Sequence, residues 1–222
     1  MKISASILAA DQNNIINNLN DKKGLFDYVH IDIGDNVFCP TYGISKNNVY
    51  KLVNETTYKL DIHLMIDEFP KILENLVKEN NNIIKVSHHV ESNSINKFID
   101  VMQKQDSIDT GFGILGSSDL NILRPFLESE NVTTDYILLL CVNPGFSYQD
   151  PVISPSQRVL DFKNLYPNYQ GQIMVDGGVS NQGNKGGTLN FPAGGPIGSC
   201  CGFYQPTQDL VDAFQTDANG LP

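Results

Sequence analysis

Three short segments carry side chains able to do chemistry together: His30-Ile31-Asp32, Asp61-Ile62-His63-Leu64-Met65 and, much later, Val175-Asp176-Gly177-Gly178. Each closes an apolar run of the kind that forms a buried strand. Residues two apart on a strand share a side, so His30 and Asp32 face the same way. If the three strands belong to one parallel barrel, two imidazoles and two carboxylates (His30, Asp32, His63 and Asp176) converge at one end of it. That set suits a single divalent cation, Zn²⁺, Fe²⁺, Mn²⁺ or Co²⁺, with positions left open for substrate oxygens. A lone His or Asp at a strand end is more often a capping group, but four at matched strand ends favour a metal site. His88 and His89 are neighbours, point in opposite directions, and are expected behind the ligands or in solvent rather than on the metal. Met65 is expected simply to line the site.

The elements that must position these groups follow from periodicity. Strand-like runs fall near 3–8, 28–33, 59–65, 84–87, 111–115, 136–142 and 173–175, and helical patterns near 13–19, 47–53, 70–78, 95–103, 120–127 and 155–165. Strands such as Tyr136-Ile137-Leu138-Leu139-Leu140 are apolar on both faces, as expected of a parallel sheet covered by helices on one side and filled on the other. Seven βα units plus one more strand make a (β/α)8 barrel, with active groups at the carboxyl ends of the strands.

The last fifth of the chain breaks this pattern. Half of the 18 glycines lie between Gly177 and Gly202. An interior Gly costs a helix about 1 kcal/mol, and Pro about 3, relative to Ala. We therefore expect an irregular segment over 180–197 instead of a helix after the seventh strand, and a flexible tail over 215–222, within one domain spanning 1–222. The best candidate for the eighth strand, Gly195-Pro196-Ile197-Gly198, contains a residue that cannot donate to a ladder.

Composition narrows the function classes. With 222 residues and 41 % hydrophobic side chains the chain can bury a large core, and no stretch approaches the ~18 apolar residues of a membrane span. A formal charge of -10 without clustered Lys and Arg argues against nucleic acid. Cys39, Cys141, Cys200 and Cys201 lack metal-binding spacing and are expected as free thiols. No secretion signal opens the chain, so a cytoplasmic location is expected.

A second constellation is poor in charge and rich in backbone donors: Asn143-Pro144-Gly145-Phe146-Ser147, then Gly177-Gly178, then Gly198-Ser199. Such turns let amide N–H groups approach an anion closely, and barrels commonly bind phosphate at their last strands. With no Lys or Arg at 143–147 or 176–179, a phosphorylated ligand would be held chiefly by amides.

These segments resemble the ribulose-phosphate 3-epimerase family. The opening Lys2-Ile3-Ser4-Ala5-Ser6-Ile7-Leu8-Ala9-Ala10-Asp11 is similar to that family's first strand and turn. His30-Ile31-Asp32-Ile33-Gly34-Asp35, Asp61 to Met65, Val142-Asn143-Pro144-Gly145-Phe146 and Val175-Asp176-Gly177-Gly178-Val179 resemble its further signatures, in order. The resemblance implies one divalent metal on His30, Asp32, His63 and Asp176, with Asp32 and Asp176 as the two acid/base groups. It further implies that Ser6 and His63 meet substrate and that Gly145, Phe146, Gly177, Gly178, Gly198 and Ser199 line a phosphate site. The implied reaction interconverts ribulose 5-phosphate and xylulose 5-phosphate, in the pentose phosphate pathway. An allulose-6-phosphate-type 3-epimerase and a sugar-phosphate or metal binder without turnover are the alternatives, and homo-oligomerisation stays open. The chain departs from the family at Gly34, where Met is usual, at Asn36, where Gly is usual, at Leu115-Gly116 in place of Asn-Pro, and at Ser147-Tyr148 in place of a Gly-Gly pair. A Tyr at 148 must either adopt glycine's backbone angles or crowd the phosphate.

Overall fold

The alternating periods resolve, in a computed structural model describing residues 2–79, 82–177 and 200–204, into a closed barrel wrapped by helices. The elements in chain order are β1 (Lys2–Ser6), α1 (Ile15–Asn20), β2 (Tyr28–Gly34), α2 (Lys46–Glu55), β3 (Leu60–Met65), α3 (Lys71–Glu79), β4 (Ile83–His89) and α4 (Ile95–Met102). Then follow β5 (Asp109–Ile114), a 3₁₀ turn (Leu120–Leu123) leading into α5 (Arg124–Leu127), β6 (Tyr136–Leu140), α6 (Pro155–Leu165), β7 (Gln172–Asp176) and β8 (Cys200–Tyr204). The first seven strands pair in parallel in chain order, as a TIM barrel requires.

The eighth strand differs from expectation in position and direction. It is Cys200–Tyr204, and it runs antiparallel to both β1 and β7, with Ala5 opposite Cys200 and Val175 opposite Gly202. The Gly195 to Gly198 candidate lies outside the described residues, as do the irregular segment expected over 180–197 and the tail expected over 215–222. The physical reason lies in connection geometry. A parallel strand needs a crossover down the outside of the barrel, whereas an antiparallel one is entered from the rim at which β7 ends.

Local signals explain the helices. In α2, Ser45 accepts a hydrogen bond from the Asn48 N–H at 3.3 Å, a cap of the kind that contributes about 1 kcal/mol. Val49, Leu52 and Val53 then form the buried stripe that presses it on the sheet. In α6, a proline enters at the first turn, where its missing N–H costs nothing, and Val159 and Phe162 follow at helical spacing. The helix expected over 120–127 splits into two short pieces because Pro125 opens a new first turn.

Two apolar clusters result. The large one lies outside the barrel, where Val29, Ile31, Ile62, Leu64, Val86, Phe112, Ile137, Leu139 and Val175 meet Leu52, Phe98 and Phe162 from the helices. Each such side chain contributes roughly 1.5–3 kcal/mol when fully buried. The small one, Tyr28, Tyr136, Leu138, Leu140 and Met174, lies within the barrel. Gly111 makes room for it, since a Cβ there would come within 2.2 Å of the Tyr136 ring. Lys85 closes the end where the strands start: its Nζ donates to Asp109 Oδ2 at 2.5 Å and Gln172 Oε1 at 3.0 Å, and lies 4.7 Å from the Tyr136 ring centroid. Cys39 and Cys141 are buried free thiols. Among the described residues no helix is long and apolar enough to cross a membrane.

Candidate metal centre and active site

The register between β2 and β3 builds the site. His30 lies beside Asp61, and Asp32 beside His63, so the alternating face of each strand sends both pairs into the barrel. Asp176 arrives at the end of β7, its carbonyl accepting from the Cys141 N–H at 2.7 Å. His30 Nε2 lies 3.3 Å from Asp32 Oδ1 and 3.7 Å from Asp176 Oδ2; His63 Nδ1 lies 3.1 and 3.4 Å from the same two atoms. One ligand atom from each of the four residues falls within 4.8 Å of the others, and all four residues are buried. The four residues proposed from sequence are therefore brought together.

Their electrostatics agree with a cation site. Burial pushes the Asp32 carboxyl up, but the charge of His30 and hydrogen bonds from His30 and His63 prevail and bring it down to about 2. Asp176 is likewise held well below the carboxylate range: burial opposes this, and hydrogen bonds from His30 and His63 outweigh it. For His63, burial pulls the imidazole down, yet Asp176 and Asp32 raise it above its ordinary 6.5. Two ionised carboxylates facing two ring nitrogens, all on buried residues, form a donor set that fits a divalent metal.

A pH dependence follows for the metal-free protein. A raised His63 contributes stability that is complete below pH 6.5 and is lost as pH rises through its folded value. A depressed Asp32 contributes stability present above pH 3.8 and lost as pH falls towards about 2. His88 and His89, whose pKa values burial lowers, act in the opposite sense, with stability complete above pH 6.5 and lost as pH falls through their folded values, so thermal melts in chelator should be highest near pH 6.5. A melting temperature that climbs steadily on the alkaline side would show that His63 is neutral in the fold.

The imidazoles are also held from behind, by groups that the strand-end pattern does not single out. His30 Nδ1 meets Asp61 Oδ2 at 2.8 Å, and the same oxygen accepts from Ser4 Oγ at 2.8 Å. His63 Nε2 meets His89 Nε2 at 2.9 Å, and His89 Nδ1 lies 3.3 Å from Glu91 Oε2. The signal for Asp61 was its place two residues before His63 on one strand face. For His89, part of the expectation is met: it sits behind a ligand, not in solvent. His88 points the other way, into the sheet–helix layer, bonded to the Leu64 carbonyl and Ser94 Oγ, and burial holds it neutral at about 4. Neither histidine is solvated. Met65 is buried at the end of β3.

The remaining sequence candidates divide by location. Ser6 Oγ donates to Asp32 Oδ2 at 3.0 Å and accepts from the Leu8 N–H, so the hydroxyl holds the carboxylate's second oxygen. Gly145 and Gly177 both have positive φ, +108° and +80°, on the loops at the carboxyl ends of β6 and β7. Phe146 is 55 % exposed on the first of these loops. Gly178, Gly198 and Ser199 lie outside the described residues. Asn36 and Tyr148, which stand at positions of glycine in the resemblance, adopt φ of +60° and +61°. Tyr148 therefore takes the left-handed backbone at a cost of order 1 kcal/mol, and its ring points outward, 57 % exposed.

The sequence is similar to those of known proteins. A Bacillus subtilis ribulose-phosphate 3-epimerase is 30 % identical over 189 residues, covering 82 % of this chain and 83 % of the relative. A Synechocystis ribulose-phosphate 3-epimerase is 33 % identical over 187 residues, covering 80 % and 76 %. A rice relative named as the cytoplasmic isoform is 26 % identical over 80 % of this chain and 77 % of its own length. Residues 2–186 match the model of the ribulose-phosphate 3 epimerase family, and with the buried His/Asp cluster in place the chain belongs to that family.

Proposed function

We propose that this chain is a metal-dependent epimerase that inverts carbon 3 of ribulose 5-phosphate to give xylulose 5-phosphate. The observation that carries the proposal is the pair of buried carboxylates, Asp32 from β2 and Asp176 from β7, flanking two imidazoles from neighbouring strands. Inverting a carbon beside a carbonyl requires a proton to leave one face and another to arrive at the opposite face. A single base serves one face well, so two carboxylates from different strands match the task. Asp32 keeps its aim because Ser6 occupies its second oxygen. A bound divalent ion, held by His30, Asp32, His63 and Asp176, would stabilise the negative charge that develops on the substrate oxygens.

The rest of the substrate is assigned by chemistry. The amide-rich turns at Gly145-Phe146 and Gly177, with Gly178, Gly198 and Ser199, take the phosphate through backbone N–H groups. Leu138, Leu140 and Met174 give the barrel an apolar wall that excludes water from the enediolate. We place the enzyme in the cytoplasm, in pentose phosphate metabolism.

The test uses purified protein, Zn²⁺ or Mn²⁺, and ribulose 5-phosphate in deuterium oxide, with allulose 6-phosphate in parallel. Deuterium should appear at carbon 3 of the pentose as xylulose 5-phosphate accumulates. Faster turnover of the six-carbon sugar would reassign the substrate, and no exchange with either sugar would reject the epimerase reading.

A further inference from the structure

We infer that Glu91 and His89 form a tautomer lock that decides which nitrogen of His63 is presented to the metal, and that Glu91 thereby sets metal affinity without touching metal or substrate. The inference rests on the reading of the four-residue cluster as a cation site.

The argument follows donors and acceptors along one line. The Leu115 N–H donates to Glu91 Oε1 at 2.8 Å, which fixes the carboxylate at the end of β5. Glu91 Oε2 faces His89 Nδ1 at 3.3 Å, and a carboxylate, having no proton to give, makes that nitrogen the donor. Glu91 is held towards its ionised form: burial opposes this, but the His89 hydrogen bond and charge, a hydrogen bond from the Ser118 side chain and the Leu115 amide outweigh it. With its proton on Nδ1, a neutral His89 presents a lone pair at Nε2. The facing atom, His63 Nε2 at 2.9 Å, must then carry a proton. A neutral His63 with its proton on Nε2 offers a lone pair at Nδ1, the atom that faces Asp32 and Asp176.

His30 is set in the opposite sense by a shorter line. Ser4 donates to Asp61, Asp61 accepts from His30 Nδ1, and Nε2 is the atom offered. A histidine bound through either nitrogen is ordinarily oriented by a carboxylate or carbonyl directly behind it. Here the carboxylate behind His63 acts through a second imidazole. The His63 and His89 side chains are fully buried, while Glu91 is 17 % exposed, so the line ends at the surface. The Phe38 ring, with its centroid 5.0 Å from that of His89, covers the middle.

Glu91→Gln separates this role from mere packing. A glutamine has the same shape but one acceptor and one donor. If its oxygen takes the Leu115 N–H, its NH₂ faces His89 Nδ1, which drives the proton of His89 to Nε2 and that of His63 to Nδ1, in front of the metal. If the amide turns over, its oxygen still accepts from His89 Nδ1–H, but two N–H groups then meet at Leu115, so the orientation that keeps the tautomer gives up the bond that fixes the side chain. The lock is therefore weakened while the side chain's volume is retained.

Zn²⁺ titrated calorimetrically into chelator-treated protein should bind E91Q on the order of tenfold to a hundredfold more weakly than wild type. At saturating Zn²⁺, KM for ribulose 5-phosphate should be unchanged, and the metal-free variant should melt as a cooperative unit. Equal Zn²⁺ affinity in a folded E91Q overturns the lock while leaving the metal site standing. Absence of Zn²⁺ binding by wild type overturns the metal site itself. Independently of any variant, wild-type protein with ¹⁵N-histidine and ¹¹³Cd should show metal coupling to Nδ1 of His63 and Nε2 of His30. Coupling to Nε2 of His63 would also overturn the lock.

Discussion

Asp176→Asn is expected to abolish deuterium incorporation at carbon 3, a loss on the order of 10³-fold or more, while the protein still melts cooperatively. Positioned proton transfer contributes typically 10²–10⁴-fold, and under the proposed mechanism this variant removes the proton acceptor on one face of the substrate together with one metal ligand. The side chain is replaced by one of the same shape, and the backbone bond from the Cys141 N–H to the Asp176 carbonyl is untouched. The fold therefore has little reason to change. The change should also lower the affinity of His63 for a proton, because Asp176 is a principal cause of its raised pKa. Nuclear magnetic resonance of the product pool in deuterium oxide measures the first effect. Turnover near that of wild type would mean that Asp32 alone serves both faces, and the two-carboxylate mechanism would be wrong.

Removal of the metal is expected to have the next largest effect, a loss of about 10³-fold in exchange, reversed by adding back a divalent ion. The reasoning is electrostatic. Asp32 and Asp176 place carboxylate oxygens within 4.8 Å of each other. At ~4 Å and an effective dielectric near 20, two like charges repel by about 4 kcal/mol. Proton abstraction would add further negative charge to the same space. A penalty of that size in the transition state corresponds to roughly three orders of magnitude in rate. Hydrogen bonds from His30 and His63 favour both ionised carboxylates in the resting protein, but they act on the site rather than on the substrate. Dialysis against chelator followed by metal titration and rate measurement checks this. Undiminished exchange in metal-free protein would assign charge stabilisation to the imidazoles alone.

The four residues of the buried cluster were legible in the sequence because each sits at the end of an apolar run, and strand ends in a parallel barrel share one rim. Strands with a strong local pattern were legible for the same reason: Tyr136 to Leu140 reads as a doubly buried strand and is one. What stands behind those four residues was legible only in part: His89 was expected behind the cluster or in solvent, but its partner was not read. That His30 lies beside Asp61, that Ser4 reaches Asp61 across β2, and that His89 reaches His63 depend on the register between strands. No single strand encodes that register. The last strand was misplaced for a related reason. A repeating βα pattern implies a parallel eighth strand, whereas Cys200 to Tyr204 pairs antiparallel with both β1 and β7, a direction that no residue within the strand announces. The αL backbone at Tyr148 was read as an alternative to crowding, and the chain takes the former course.

The barrel keeps most of its oil on the outer surface of the sheet, while serines, histidines, aspartates and a lysine occupy much of its lumen. Cohesion and reactivity are thereby housed on opposite sides of the same strands, one side chain apart. The lumen can be re-furnished at alternate positions without disturbing the belt of Ile, Leu, Val and Phe that holds the helices down. A library randomising inward positions of β1 to β4 should for this reason yield many folded proteins with new ligand preferences, and an equal library at outward positions should yield few that fold at all.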